Sequence, residues 1–132
     1  MDDDLLSVEV IKVRKVLSEH HHQISKNYLK NFPRGCCANA SLLLANWLER
    51  KGIKGIKVIF ARNEKSASHS WLVVNEQIVD ITSDQFKGQR FGIFPINSSY
   101  HASFCYQSED VPHIPQAMND PLDEFIKLIE KK

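Results

Sequence analysis

GCCANASLLLANWLERKG, residues 35–52, and HSWLVVNEQIVDITSDQF, residues 69–86, decide how this chain folds. In the first, Ala40, Leu43, Leu44, Trp47 and Leu48 recur at the i, i+3, i+4, i+7, i+8 spacing of an amphipathic helix. Gly52 ends that helix behind Arg50 and Lys51. In the second, two apolar runs, 70–74 and 77–82, flank Asn75-Glu76, which is the pattern of a β-hairpin. Asn suits a left-handed turn position and Glu does not, which leaves loops of two and of four residues open. Both set residues whose numbers sum to 151 opposite each other, and therefore Trp71 with Asp80 and His69 with Thr82. His69 and Asp80 are then diagonal neighbours on one face, roughly 7–8 Å apart by Cα, within reach of an imidazole–carboxylate hydrogen bond. A three-residue loop would send Asp80 to the other face.

Outward from this centre, the sequence predicts an amphipathic helix over 5–18, with Leu5, Val8, Val13, Val16 and Leu17 apolar and Asp2 to Asp4 favouring its start. Residues 19–33 read as an irregular connection. Strands are expected over 53–61, 90–97 and 102–106, a loop over 107–121, and a second amphipathic helix over 121–132. Strands clustered between helices predict an α+β fold. The 132 residues make one domain, with 42% hydrophobic and 25% charged residues, the balance of an ordinary globular protein.

The formal net charge is +1, and the basic residues are scattered, so no nucleic-acid partner is expected. MDDDLL lacks the basic flank and apolar run of a secretion signal, and no window is long enough for a membrane span. A soluble, cytoplasmic protein that binds no membrane is the expectation. Oligomeric state is not legible in the sequence.

Three cysteines in such a chain point to reduced thiols. Cys36-Cys37 and His20-His21-His22 have neither of the spacings that place two donors on one side of a zinc ion, so no metal is expected, and the His run reads as an exposed helix end. Cys37 falls in the first turn of the central helix, where unpaired N–H groups and the helix dipole favour a thiolate. Helical periodicity puts Cys36 and Cys37 on the two flanks of the apolar stripe and does not choose between them.

GCCANASLLLANWLERKGIKGIKVIF, with HSW and VDIT downstream, resembles the transglutaminase-like branch of the papain-like cysteine enzymes. The resemblance runs over residues 32–86. In that family a catalytic Cys opens a helix, a small residue follows four positions later, and a Gly closes the helix before a strand. Cys37, Ser41 and Gly52 fit that count, so the resemblance favours Cys37 over Cys36. A His before an aromatic residue then starts a strand and an Asp near the end of the next strand completes a triad, which implies His69 and Asp80. The implied fold is a Cys-bearing helix packed on an antiparallel sheet, with N- and C-terminal helices. The chain departs from large crosslinking transglutaminases in its length and in having no DxDxDG calcium loop.

The resemblance implies a cysteine hydrolase or acyl transferase, acting on amide bonds of a peptide or protein, without a cofactor. His69 takes the Cys37 proton, the thiolate forms a thioacyl intermediate, and Asp80 orients the imidazole. Peptidase, glutamine deamidase and transglutaminase-like outcomes share this constellation. Asn31, six residues before the Cys, stands where papain-like proteases carry an oxyanion-binding Gln, and Trp71 is expected at the substrate. Asp84 competes for the third position, His101 is a reserve base, and Cys105 is expected in a core strand. The alternative is a catalytically inactive binding or inhibitory module on the same fold.

Overall fold

The computed structural model describes residues 3–24, 28–86 and 88–131. Its α-helices are α1 (Asp3–His20), α2 (Cys37–Arg50), α3 (Ser99–Ala102) and α4 (Asn119–Glu130). Its strands are β1 (Lys57–Arg62), β2 (Ser68–Val74), β3 (Gln77–Asp80), β4 (Gly92–Pro95) and β5 (Tyr106–Asp110). They form one antiparallel sheet in the order β4-β3-β2-β1-β5. The chain is α+β, as expected.

α2 forms because its apolar stripe is complete: Ala40, Leu43, Leu44, Trp47 and Leu48 are all buried. Gly52, at φ +87°, takes the left-handed position that closes the helix, and the N–H of Ile53 returns to the carbonyl of Leu48. α2 lies on β2 and β1, while α1 and α4 pack beside it on the same face of the sheet. That face supplies Val58, Leu72, Val74 and Val79 to the larger core. In α1 the buried side is Leu6, Val10, Val13, Val16 and Leu17, with Leu5 and Val8 turned to solvent, so the true stripe is shifted from the one expected. Glu9 on this side is buried, and its carboxylate accepts the Trp47 indole N–H at 2.8 Å, a polar tie between α1 and α2.

The hairpin pairs Leu72 with Val79, Val73 with Ile78 and Val74 with Gln77, the expected register. The loop has two residues, Asn75 at φ 52° and Glu76 at φ 60°. Both are left-handed, as a primed turn requires. Glu76 therefore accepts a conformation its side chain disfavours, because the register on both flanking strands is held by burial.

Two expectations for the C-terminal part fail. Residues 102–106 were expected as a strand and 107–121 as a loop, but Ser99–Ala102 is helical and the strand is Tyr106–Asp110. YQSED has no apolar alternation because β5 is an edge strand exposed at every position and paired only with β1. The predicted strand over 53–61 begins later, at Lys57.

β4 and β5 occupy opposite edges, so residues 96–105 must cross the sheet. They cross the face away from α2 and cap a second cluster, Ile59, Ala61, Trp71, Ile78, Phe94 and Phe104. This crossing brings α3 over the end of β3.

Glu76→Gly removes the left-handed penalty at the turn and should raise stability by about 1 kcal/mol in urea denaturation. A destabilised variant would show that the Glu76 side chain supports the hairpin in another way.

Candidate functional site

His69 is the second residue of β2 and Asp80 the last of β3, and alternation places both on the face that residues 96–105 cross. The His69 Nε2–H donates to Asp80 Oδ2 at 2.6 Å. The same oxygen accepts from His101 Nε2 at 2.7 Å, while Asp80 Oδ1 accepts the backbone N–H of Thr82 at 3.1 Å. Both side chains of the His69–Asp80 pair are fully buried, with 0% exposure. Ser98 caps α3 and its Oγ lies 2.8 Å from His101 Nδ1, so His101 is held at both ring nitrogens. Aromatic rings wall the cluster: Phe86 at 5.1 Å, Trp71 at 5.5 Å and Phe104 at 5.5 Å from the His69 ring, and Phe94 and Trp71 each at 4.7 Å from that of His101.

Burial alone would lower the His69 pKa and raise that of Asp80. Their hydrogen bonds and mutual attraction outweigh it. Desolvation works against the imidazolium, but its hydrogen bond to Asp80, then its interaction with the Cys37 sulfur, and the charges of both push His69 up to about 9. For Asp80 the desolvation penalty is overcome by His101, His69 and the Thr82 N–H, which hold the carboxyl below its usual range.

Cys37 is the first residue of α2 and is half-buried, beside His69. Since Nε2 of His69 is committed to Asp80, Nδ1 is the nitrogen left to meet the thiol, and Gln85 Nε2 also approaches it, at 3.4 Å. Cys37 lines a small cleft of about 230 Å³ with Gly35, Cys36, Ala38, Asn39, Ser68 and Gln85. Cys36, the N-cap of the helix, is 5% exposed and belongs to the larger core. Burial pushes its thiol up to about 12, with the charge of Cys37 adding to the rise, so the nucleophilic thiolate is disfavoured at Cys36.

Other expected positions fall elsewhere. Asn31 is exposed and does not line the cleft at Cys37; Gln85 does, and its amide points at the site. Trp71 is 1% exposed and packs against both imidazoles, so it buttresses the cluster and does not stand at the Cys37 cleft. Asp84 is turned away, accepting both Arg14 guanidinium nitrogens at 2.8 and 2.7 Å, which fastens the 3-10 turn Ser83–Gln85 to α1. His101 is not a separate base but a second donor to Asp80. Cys105 is exposed, between α3 and β5, and fills no core position.

Sequence reasoning gave no role to Gln85 and kept His101 only in reserve, yet the structure brings both to the cluster. Ser98, three residues before His101, carried a signal: a capping Ser whose Oγ accepts the His101 N–H marks a helix start between the two expected strands. His69 Nε2, Asp80 Oδ2 and His101 Nε2 lie within 4.8 Å of one another, the kind of donor set a metal ion uses. Both nitrogens already donate to the carboxylate, and a metal–imidazole bond of about 2.0–2.1 Å would break both hydrogen bonds, so the donors fit a proton-sharing cluster better.

No family model, curated protein or solved structure matches this chain. Among the described residues, no helix is long and apolar enough to cross a membrane.

The raised His69 pKa stabilises the fold below about pH 6.5, the ordinary imidazole value, and this contribution is lost as pH rises through about 9. The lowered Asp80 pKa stabilises it above the ordinary carboxyl range and is lost on acidification through the folded value. Denaturation measured across pH should show stability falling between about pH 7 and 10 by up to about 3 kcal/mol. His69→Gln should flatten that limb; a parent and variant falling in parallel would show that other groups cause it.

Proposed function

We propose that the chain is a cysteine-dependent hydrolase or acyl transferase acting on amide bonds, with Cys37 as nucleophile, His69 as base and Asp80 as orienting carboxylate. One observation carries this reading: a half-buried thiol at the first residue of a buried helix, beside an imidazole whose far nitrogen is held by a buried carboxylate. The residues quoted above for their resemblance to transglutaminase-like enzymes are the same three, and papain-like architecture is part of the proposal.

The Cys37 Sγ proton passes to His69 Nδ1, and the thiolate forms a C–S bond to the substrate carbonyl carbon. Cys37 and Gln85 both line the cleft, and the oxyanion accepts hydrogen bonds from the Cys37 backbone N–H and the Gln85 amide. Collapse breaks the C–N bond, and the leaving amine takes the proton from His69. Water or a second amine then attacks the thioacyl carbon, His69 removes its proton, and the acyl group leaves Cys37. Asp80 keeps Nε2 protonated and balances the imidazolium in each half-reaction. Peptidase, deamidase and transferase outcomes differ only in which amine leaves and what resolves the intermediate.

The test is the rate of thiol alkylation followed by intact mass. Cys37 should react with iodoacetamide faster than exposed Cys105, with Cys36 unreactive, and Cys37→Ala should remove the fast site. His69→Ala should slow acylation of Cys37 by peptide thioesters by about a hundredfold or more. Cys37 alkylating no faster than Cys105 would favour the inactive binding module.

A further inference from the structure

Past the N-terminal turn of α2, the helix-side face of the sheet is uncovered. Val58, Leu72 and Val74 lie on that face beneath the helices. Alternation puts Phe60 and Arg62 of β1, Ser68 of β2, and Tyr106 and Ser108 of β5 on the same side. These residues line an open hollow of about 580 Å³. Strand pairing sets Ser68, Arg62 and Tyr106 in one row across three strands, with Phe60 and Ser108 opposite each other in the next. Ser68 also lines the cleft at Cys37, so the two hollows meet there.

The chemistry of this shelf is specific. Phe60 is 38% and Tyr106 57% exposed, two large aromatic side chains open to solvent on one shelf. Arg62 places its guanidinium 5.6 Å from the Tyr106 ring. Among the described residues no carboxylate pairs with Arg62, whereas Lys57, at the other end of β1, is matched by Glu109 at 3.4 Å. Neighbouring strands lie about 4.8 Å apart, so the row from Ser68 to Tyr106 spans roughly 10 Å, the length of about three extended residues.

We propose that this shelf binds the acyl-donor side of an extended peptide, and that Arg62 selects an Asp or Glu side chain two or three residues from the carbonyl attacked by Cys37. The aromatic rings take the neighbouring side chains, and the Ser68 hydroxyl faces the main chain. This assignment rests on the catalytic reading for its direction, and its binding component is measurable without turnover.

Binding is read by fluorescence anisotropy on the Cys37→Ala protein, with fluorescein-labelled peptides identical except for one Glu, Gln or Lys. At low salt the Glu peptide should bind about fivefold more tightly than the Lys peptide, the upper range for an exposed ion pair. Arg62→Glu should reverse that order, and Arg62→Lys should keep it. Absence of binding, equal binding of all three peptides, or an order unmoved by Arg62→Glu would overturn the shelf. Thioesters of the same peptides on the parent protein, read as added mass at Cys37, report the chemistry separately. Charge-ordered binding without added mass keeps the shelf and removes the enzyme, and added mass without charge order does the reverse.

Discussion

The Asp80 carboxylate is the constraint on which the rest of this molecule depends. A buried carboxylate is costly by several kcal/mol unless its oxygens are matched by donors, and here two imidazole N–H groups and one backbone N–H match them. Each donor comes from a different part of the chain. His69 arrives through the hairpin register, Thr82 through the turn after β3, and His101 through the crossing between the two edge strands. Losing any one leaves charge uncompensated among aromatic rings, so the cluster and the topology specify each other.

The strand order explains why both faces of this sheet are covered. An antiparallel sheet can leave one face to water. With β4 and β5 on opposite edges, the connection between them has to traverse a face, and it carries Tyr100, His101 and Phe104 onto it. The larger core under the helices and the smaller aromatic core therefore lie on either side of β2 and β3. His69 sits at the end of β2 where the first turn of α2 arrives, which is why a thiol on a helix and a base embedded in the second core can be neighbours.

Local periodicity made most of the scaffold legible. The α2 stripe, the closing Gly52 and the hairpin register are consequences of spacing that tertiary packing has no reason to override. The Asn75-Glu76 loop was less legible, since the propensity of Glu76 argued against a turn that burial on the neighbouring strands enforces. β5 escaped because an exposed edge strand has no apolar alternation to read. Within the candidate site, the His69–Asp80 contact followed from register alone, whereas the place of His101 depends on a crossing that no local pattern encodes. Asn31 was inferred by analogy of position, and the residue that lines the cleft at Cys37 is Gln85.

The neighbouring cysteines show how burial divides chemistry that sequence leaves shared. One step along the chain separates them, from the non-helical N-cap at Cys36 to the first helical residue at Cys37. That step sends Cys36 into the larger core, where its thiolate would be desolvated, and leaves Cys37 half-buried beside His69. The His69 imidazole, in contrast, is wholly enclosed, so the proposed proton transfer would occur at the boundary between a wet cleft and a dry cluster. Gln85 stands at that boundary, on a turn fastened to α1 by the Arg14–Asp84 pair and by Arg14 to the carbonyl of Ile81. Under the proposed chemistry, the remote α1 therefore has a part in the site: it holds in place the turn whose amide would meet the oxyanion, and it does so without touching substrate.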